Sequence, residues 1–178
     1  MMRRTYAITV AVVLAWSVLA VAANVHLKGG PSAAPTFTDN GLTLTASASL
    51  SGLGNADVLV ILSARGNPTG QCCNPSGECK VPGQNPAPVD VTGSQAIPAS
   101  QIKNGNLTFS VTTQAPTSPI PGAPDCPGSS WTETITDMKF TSASITVIQG
   151  GVTVFSTSCT FSSPTSDGRV PAGNVTCS

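Results

Sequence analysis

The stretch that decides the fold is Leu-Thr-Leu-Thr-Ala-Ser-Ala-Ser-Leu, residues 42–50, in which apolar and hydroxyl side chains strictly alternate. Successive side chains of a β-strand point to opposite faces, so this period of two predicts a strand with one buried face and one wet face. Asp-Asn-Gly at 39–41 precedes the stretch and Gly52 follows it, and both are typical of turns. The chain is therefore expected to enter and leave a sheet here.

The rest of the chain beyond residue 23 offers more strands and no helical repeat. Residues 58–62 form a continuous aliphatic run, which predicts a central strand buried on both faces. Further strand-like segments are 89–95, 107–112, 131–140, 143–147 and 152–161, with reversals predicted at Asn104-Gly105 and Gln149-Gly150-Gly151. About seven short strands predict an all-β, antiparallel β-sandwich, with an immunoglobulin-like Greek key as first choice and a jelly roll or small barrel as the alternative.

Two segments are predicted to lie outside the sheets. Residues 65–88 hold three cysteines among prolines and glycines, so the order of this loop is expected to come from disulfide bonds. Residues 115–130 carry five prolines and predict an extended, polyproline-like connection. The expected organisation is a signal peptide in 1–23, a sandwich domain in 24–161 and a polar tail in 162–178 that Cys177 tethers.

The first 23 residues have the layout of a secretory signal peptide. Arg3 and Arg4 precede an apolar run that ends in small residues, after which cleavage at Ala22 or Ala23 is expected. The run is shorter than the roughly 20 residues that a membrane-spanning helix needs, which favours cleavage over anchoring. We therefore expect a secreted, extracellular protein, or else a periplasmic or cell-surface one, with no membrane span after cleavage.

The charge pattern argues against a nucleic-acid partner. After residue 23, six basic and eight acidic side chains remain, and they are scattered singly, whereas a nucleic-acid surface needs clustered cations. The expected partner is an extracellular protein or a glycan.

Nothing in the chain indicates an enzyme or a cofactor. The chain lacks the G-x-S-x-G pattern, and its single histidine is His26. Glu133 and Asp137 are four residues apart, which on a strand separates them by about 13 Å, too far for the carboxyl pair of a glycosidase. We predict that both are solvated strand charges.

Six cysteines in an exported chain predict three disulfides rather than a metal cluster. They are Cys72, Cys73, Cys79, Cys126, Cys159 and Cys177. The adjacent pair Cys72 and Cys73 is expected to take different partners, with one of them closing a short loop to Cys79. Cys126 with Cys159 is a second predicted pair, which leaves Cys177 to fasten the tail.

Two residues are candidate ligand sites. Cleavage after Ala23 would leave Asn24-Val25-His26 at the terminus, where the amine, two amides and the imidazole of His26 could bind Cu(II) or Ni(II). A solvated histidine is the plainer interpretation. Trp131 is a candidate platform for a sugar ring, although a lone Trp at the start of a strand more often packs in a core.

Modification and calcium signals are weaker. Asn106 and Asn174 begin glycosylation sequons that matter only in a eukaryotic host. Asp57, Asp90 and Asp125 lie in loops, but their spacing matches no calcium-binding loop.

Four segments resemble a group of small uncharacterised secreted proteins of bacterial type. They are VHLKGGP at 25–31, PTFTDNGLTL at 35–44, GQNP at 83–86 and PTSPIPGAPDC at 116–126. The resemblance implies secretion and a β-domain, but no catalytic residue or ligand; Cys72, Cys73, Cys79 and Cys177 depart from the pattern of the group. The hypothesis is a secreted or surface-associated, non-enzymatic β-sandwich with a structural or binding role. The alternative is a carbohydrate-binding module or small glycan-active protein centred on Trp131.

Overall fold

The computed structural model describes residues 24–30 and 32–178, so the predicted signal peptide lies outside the described residues. Within these ranges the protein is all-β, with eleven strands and two single-turn 3-10 helices. Two antiparallel sheets pack against each other, which confirms the predicted β-sandwich. The immunoglobulin-like Greek key stays a prediction.

The first sheet is built around the strand that the alternating stretch predicts. Its strands are β1 (His26–Leu27), β2 (Thr36–Asp39), β3 (Leu44–Ser51), β7 (Leu107–Thr112) and β10 (Gly168–Arg169). β7 pairs along one edge of β3, β2 and β1 share the other edge, and β10 extends the sheet beyond β2. Leu44, Ala46 and Leu50 are fully buried, as the period of two requires.

The outer face of this sheet carries pairs of hydroxyl side chains that are hydrogen-bonded across β3 and β7. The oxygen–oxygen distances are 2.8 Å for Thr45 and Thr112, 2.9 Å for Ser47 and Ser110, and 2.8 Å for Ser49 and Thr108. Each pair joins residues that face each other in the strand register. We call this row of three pairs the hydroxyl ladder.

The second sheet is larger. Its strands are β4 (Val58–Cys73), β5 (Cys79–Lys80), β6 (Val89–Ile97), β8 (Thr132–Gln149), β9 (Val152–Phe161) and β11 (Val175–Cys177). They lie in the order β11-β9-β8-β4, and β5 and β6 pair along the far edge of β4. The tail at 162–178 thus contributes one strand, β10 or β11, to each sheet.

β4 is longer than the sequence predicts. The sequence predicts a loop from residue 65 onward, yet β4 continues to Cys73 because β8 pairs with it along its whole length. Register shifts at Arg65/Gly66 and Thr69/Gly70 absorb the irregular residues. Proline has no amide hydrogen to donate to a neighbouring strand. Pro68 is tolerated in β4 because β6 pairs with β4 only as far as Gly66.

The core lies between the sheets, and backbone hydrogen bonds join the sheets at two places. Phe37 and Phe161 meet edge to face in this core, with ring centroids 5.2 Å apart. The amide of Gln114 donates to the carbonyl of Thr92 at 2.8 Å, and the amide of Met138 donates to the carbonyl of Gly41 at 3.0 Å. No helix in the described segments is long and apolar enough to cross a membrane.

Candidate functional site

Two connecting segments meet where β4 ends and β8 begins. They are residues 74–88 and 113–131, and we call the two segments together the braced end. Cys72 and Cys73 project from β4 to opposite faces, since successive side chains of a strand alternate. Cys72 is buried and bonded to Cys126, and Cys73 is bonded to Cys79. Both segments are therefore fastened to the last residues of one strand.

The disulfide pattern confirms part of the prediction and corrects the rest. Cys72 and Cys73 take different partners, and Cys79 closes the short loop, as expected. The predicted pair of Cys126 with Cys159 is wrong. Cys159 is bonded to Cys177 instead, because β11 lies beside β9 with these two residues in register. Cys177 fastens the tail in this way.

The first segment of the braced end is ordered by its own turn as well as by the disulfide. The side-chain oxygen of Asn74 accepts hydrogen bonds from the amides of Ser76 at 3.0 Å and Glu78 at 2.9 Å. This is the local bonding by which Asn stabilises a turn without a core beneath it. The segment is therefore held in shape although little apolar surface packs on it.

Three side chains of the braced end are wholly or partly exposed to solvent. Val81 is 84% exposed, the highest value among the exposed large hydrophobic residues of the described chain. Trp131 is half-buried, and the ammonium of Lys80 lies 5.8 Å from the centroid of its ring, within cation–π distance. Lys80 also pairs with Glu78 at 3.0 Å. The braced end therefore exposes an apolar side chain on one segment and a cation–π contact between its two segments.

Glu133 is the second residue of β8, two residues after Trp131. Its side chain is fully buried, and neither carboxylate oxygen has a hydrogen-bond partner among the described residues. Its backbone carbonyl accepts a hydrogen bond from Ile120 at 2.8 Å, which ties the second segment to β8. The prediction that Glu133 is a solvated strand charge is wrong. The signal that would have corrected it is the two-residue spacing to Ile135, a buried residue of the same strand face.

Three carboxylates approach one another at the turn between β2 and β3. Asp39 is buried and accepts hydrogen bonds from the amide of Gly41 at 2.9 Å and from the hydroxyl of Thr165. Burial raises the pKa of Asp39, and the nearby Asp137 and Asp167 carboxylates raise it further, against the lowering effect of the two hydrogen bonds. Within residues 24–30 and 32–178, no group of three or more His, Cys, Asp or Glu side chains is placed to hold a metal ion.

The other predicted sites lie elsewhere. His26 is exposed in β1, and its Nδ1 lies 2.8 Å from the carbonyl oxygen of Asn24. The side chain of Asn106 donates to two backbone carbonyls and accepts a hydrogen bond from Ser51. Asn174 is half-buried at the end of a 3-10 turn.

The three aspartates Asp57, Asp90 and Asp125 are not gathered into one site, and the placement of Asp90 in a loop is wrong because it lies in β6. Asp57 accepts a hydrogen bond from the amide of Ala99 at 2.8 Å, and Asp90 pairs with Arg65 at 2.7 Å. Asp125 lies in the second segment of the braced end, where its backbone carbonyl accepts a hydrogen bond from Gly83 at 3.1 Å. Each therefore belongs to a different part of the chain.

These features define an all-β sandwich braced by three disulfides, a combination that fits an oxidising, extracellular-type environment. No protein-family model, no curated protein and no solved structure matches the chain. The residues themselves therefore carry the functional argument.

Proposed function

We propose that this chain is a secreted or surface-associated, non-enzymatic binding protein that contacts its partner through the braced end. The observation that carries the proposal is the exposure of Val81 on segment 74–88, which the Cys73–Cys79 disulfide fastens to β4 while Cys72–Cys126 fastens the other segment of the braced end. A large apolar side chain in water is a favourable contact point because covering it releases hydration free energy.

The bracing supports the same function. A flexible loop loses conformational entropy when it binds, and this loss subtracts from affinity. The Asn74 turn and the two disulfides remove much of that freedom before binding. Loops displayed on a rigid sandwich are also common positions for binding residues. The partner class we expect is an extracellular protein or a glycan.

The proposal is tested by comparing two exposed valines at opposite ends of β4. Val81 lies in the braced end, beyond the last residue of β4. Val152 is 59% exposed and is the first residue of β9, directly after the reversal from β8. This reversal lies at the other end of β4, where Gln149 of β8 pairs with Val58. Full-length protein secreted from an expression host is labelled and applied to an array that carries glycans and purified cell-surface proteins. We expect Val81→Asp to weaken binding at least roughly tenfold, which corresponds to about 1.4 kcal/mol.

The matched control is Val152→Asp, which adds the same charge at the far end and should leave binding unchanged. Loss of binding in Val152→Asp with retention in Val81→Asp would contradict the proposed surface. A wild-type protein that binds nothing on the array would contradict the binding role.

A second candidate function is glycan recognition by Trp131, favoured by the partial exposure of this ring in the braced end. A sugar that stacks on the ring face near Lys80 has to displace the ammonium. Trp131→Ala should then abolish glycan binding, whereas Trp131→Phe keeps an aromatic face and part of the affinity. Glycan binding that survives Trp131→Ala would eliminate this candidate.

A further inference from the structure

The outer edge of β9 is paired over only part of its length. β11 covers this edge at Cys159–Phe161, and Ser158 and Ser178 exchange backbone hydrogen bonds at 2.9 Å. Beyond Ser158, no strand of the described residues pairs with segment 152–157 on this side, while β8 pairs with the segment on the other side. An unpaired edge of this kind presents backbone donors and acceptors to which another strand can be added.

The amide and the carbonyl of Ser156 point to this open side. Successive residues of an antiparallel strand direct these groups to opposite neighbours, so Ser156 repeats the orientation of Ser158. The backbone groups of Ser158 are bonded to Ser178, on the side away from β8. No strand in the described part of the chain reaches Ser156 from this side, so its two groups are available to another strand.

The space beside this edge is partly apolar. A cleft of about 500 Å³ is lined by Phe155 of β9, Leu27 of β1 and Ala33, among others. Leu27 and Phe155 are half-buried and pack at the margin of the core. At the opposite edges of the sheets, the hydrogen bond from Gln114 to Thr92 joins them. The sandwich is therefore joined where β6 meets β7 and open between β1 and β9.

The charge pattern of this edge indicates which partner fits it. Residues 140–166 contain no Asp, Glu, Lys or Arg, so the whole of β9 is uncharged. Edge strands of monomeric proteins are usually protected by charged side chains or proline, which prevent pairing with another copy. Segment 152–157 has neither, so a second copy of the chain meets no like charge there. A partner attracted by charge would find no charged side chain on this strand.

We infer that segment 152–157 pairs antiparallel with the same segment of a second copy of this chain, which forms a two-fold symmetric dimer. A two-fold axis between identical edges uses both of them, so assembly stops at two copies. The added strand also covers the cleft beside Phe155 and Leu27. The contact is short and is interrupted by the register shift at Val147/Ile148, so we expect weaker association than through a standard-size interface. The inference goes beyond the proposed binding role and does not depend on it.

Sedimentation velocity of the full-length secreted protein tests the dimer without any other partner. The weight-average mass should rise from that of one copy toward that of two between roughly 1 µM and 1 mM protein, and it should not rise further. Hydrogen exchange of the wild-type protein locates the contact, because the amide of Ser156 should become protected as the protein concentration rises.

Ser156→Lys should weaken dimerisation at least roughly tenfold, because each copy then carries a charge at the paired edge. The matched control is Ser94→Lys on β6, which should dimerise like the wild type. Ser94 is also an exposed serine, and the strand registers through Ile61 and Thr146 place it in the same row across the sheet as Ser156. Ser156→Pro is a second variant, which removes the amide on the open side without removing a hydrogen bond to β8, and it should also prevent pairing.

A wild-type protein that stays monomeric over this concentration range would overturn the inference. Dimerisation that persists unchanged in the Ser156 variants, or that weakens equally in Ser94→Lys, would overturn it as well, because the contact would then lie elsewhere. The Val81 comparison uses labelled protein too dilute to dimerise, so Val152→Asp acts there on single copies. Failure of the dimer and failure of the proposed binding role are therefore distinguishable.

Discussion

Asp39 shows how one buried side chain couples the fold to pH. Its carboxylate accepts a hydrogen bond from the hydroxyl of Thr165. The same hydroxyl accepts a hydrogen bond from the amide of Phe140 at 2.8 Å. Asp39 on β2 is thereby linked to β8 through a single side chain of the tail. Because Asp137 and Asp167 lie nearby, ionisation of Asp39 is opposed by both burial and repulsion.

The raised pKa of Asp39 predicts a specific pH dependence. Because its pKa is raised from the ordinary value of 3.8, Asp39 holds its proton more tightly in the folded protein than in the unfolded chain. The stability that this proton contributes is fully present below that value and is lost as pH rises through the raised folded pKa. Asp39→Asn, which keeps an oxygen for Gly41, should flatten this part of the profile of unfolding free energy against pH.

Urea unfolding at a series of acidic pH values measures this effect, with the exposed Asp57→Asn as the control that keeps the wild-type slope. An Asp39→Asn profile parallel to that of the wild type would contradict the prediction.

Gln149 is a second residue whose role is visible only in three dimensions. Its side chain donates to the carbonyls of Gly54 and Ala56 at 3.0 and 2.8 Å and accepts from the amide of Gly54 at 2.8 Å. The connection between β3 and β4 is thus hydrogen-bonded to the end of β8.

Gln149→Met should lower the free energy of unfolding by roughly 1–3 kcal/mol, because these hydrogen bonds are lost and part of the backbone they satisfy stays out of water. Chemical denaturation measures the loss. The same change at Gln95, exposed on β6, should stay within about 0.5 kcal/mol, and equal effects at the two positions would refute the interpretation.

At the scale of elements, the two sheets approach each other closely at the edge strand β6. A β-carbon on Gly93 would lie 1.9 Å from the carbonyl oxygen of Thr112 in β7. This is backbone rather than a movable side chain, so the two strands can come together only because residue 93 is glycine. The amide of Gln114 donates to Thr92 beside this point.

Gly93→Ala should therefore separate β6 from β7 and cost at least about 3 kcal/mol of stability. Thermal unfolding and hydrogen exchange at Gln114 are the measurements. The control is Gly173→Ala, where an added β-carbon meets open space. A Gly93→Ala protein as stable as this control would contradict the close approach.

The elements also mark how far the sequence alone leads. Alternation predicts β3 and β7 nearly to the residue, because each has one wet face, and the Gly150-Gly151 reversal predicts the turn between β8 and β9. The second half of β4 is missed because Gly66, Pro68 and Gly70 are local signals for a loop. Pairing with β8, a contact distant in sequence, overrides these signals.

The candidate site, like the strands, is only partly predictable from the sequence. The sequence alone identifies the cysteines and Trp131 as candidates, and several of these residues lie at the braced end. The pairing of Cys72 with Cys126 depends on which segments cross the end of the sheet, which spacing does not encode. The burial of Glu133 is missed because a charged residue among threonines is typical of a solvent-exposed strand face. The opposing signal is that Ile135, two residues away and therefore on the same face of the strand, is apolar and buried.

At the scale of the whole molecule, three disulfides hold loops of different length. The sequence separations are 54 residues for Cys72–Cys126, 18 for Cys159–Cys177 and 6 for Cys73–Cys79. A crosslink stabilises a fold mainly by restricting the unfolded chain, and the effect grows with the length of the closed loop. The three bridges should therefore differ in their contribution.

Paired Cys→Ser replacements should lower the free energy of unfolding by about 4, 3 and 2 kcal/mol in that order. Urea unfolding of the three double variants gives the ranking. Loss of Cys72–Cys126 should also increase hydrogen exchange in segment 113–131 while leaving the centre of β4 protected. The reverse ranking would show that strain or unfolded-state structure, rather than loop length, governs the contributions.

The hydroxyl ladder has a consequence for how this protein stays in solution. Only 9% of the residues are charged, where about a quarter is usual, so electrostatic repulsion between molecules is small. The hydroxyls of the outer face are exposed to water and are hydrogen-bonded to each other in pairs. Few of their donors are therefore free to form hydrogen bonds with the sheet of another molecule. Dispersal of the protein is therefore expected to depend more on hydration than on charge, and its solubility should change little with salt, because few charges need to be screened.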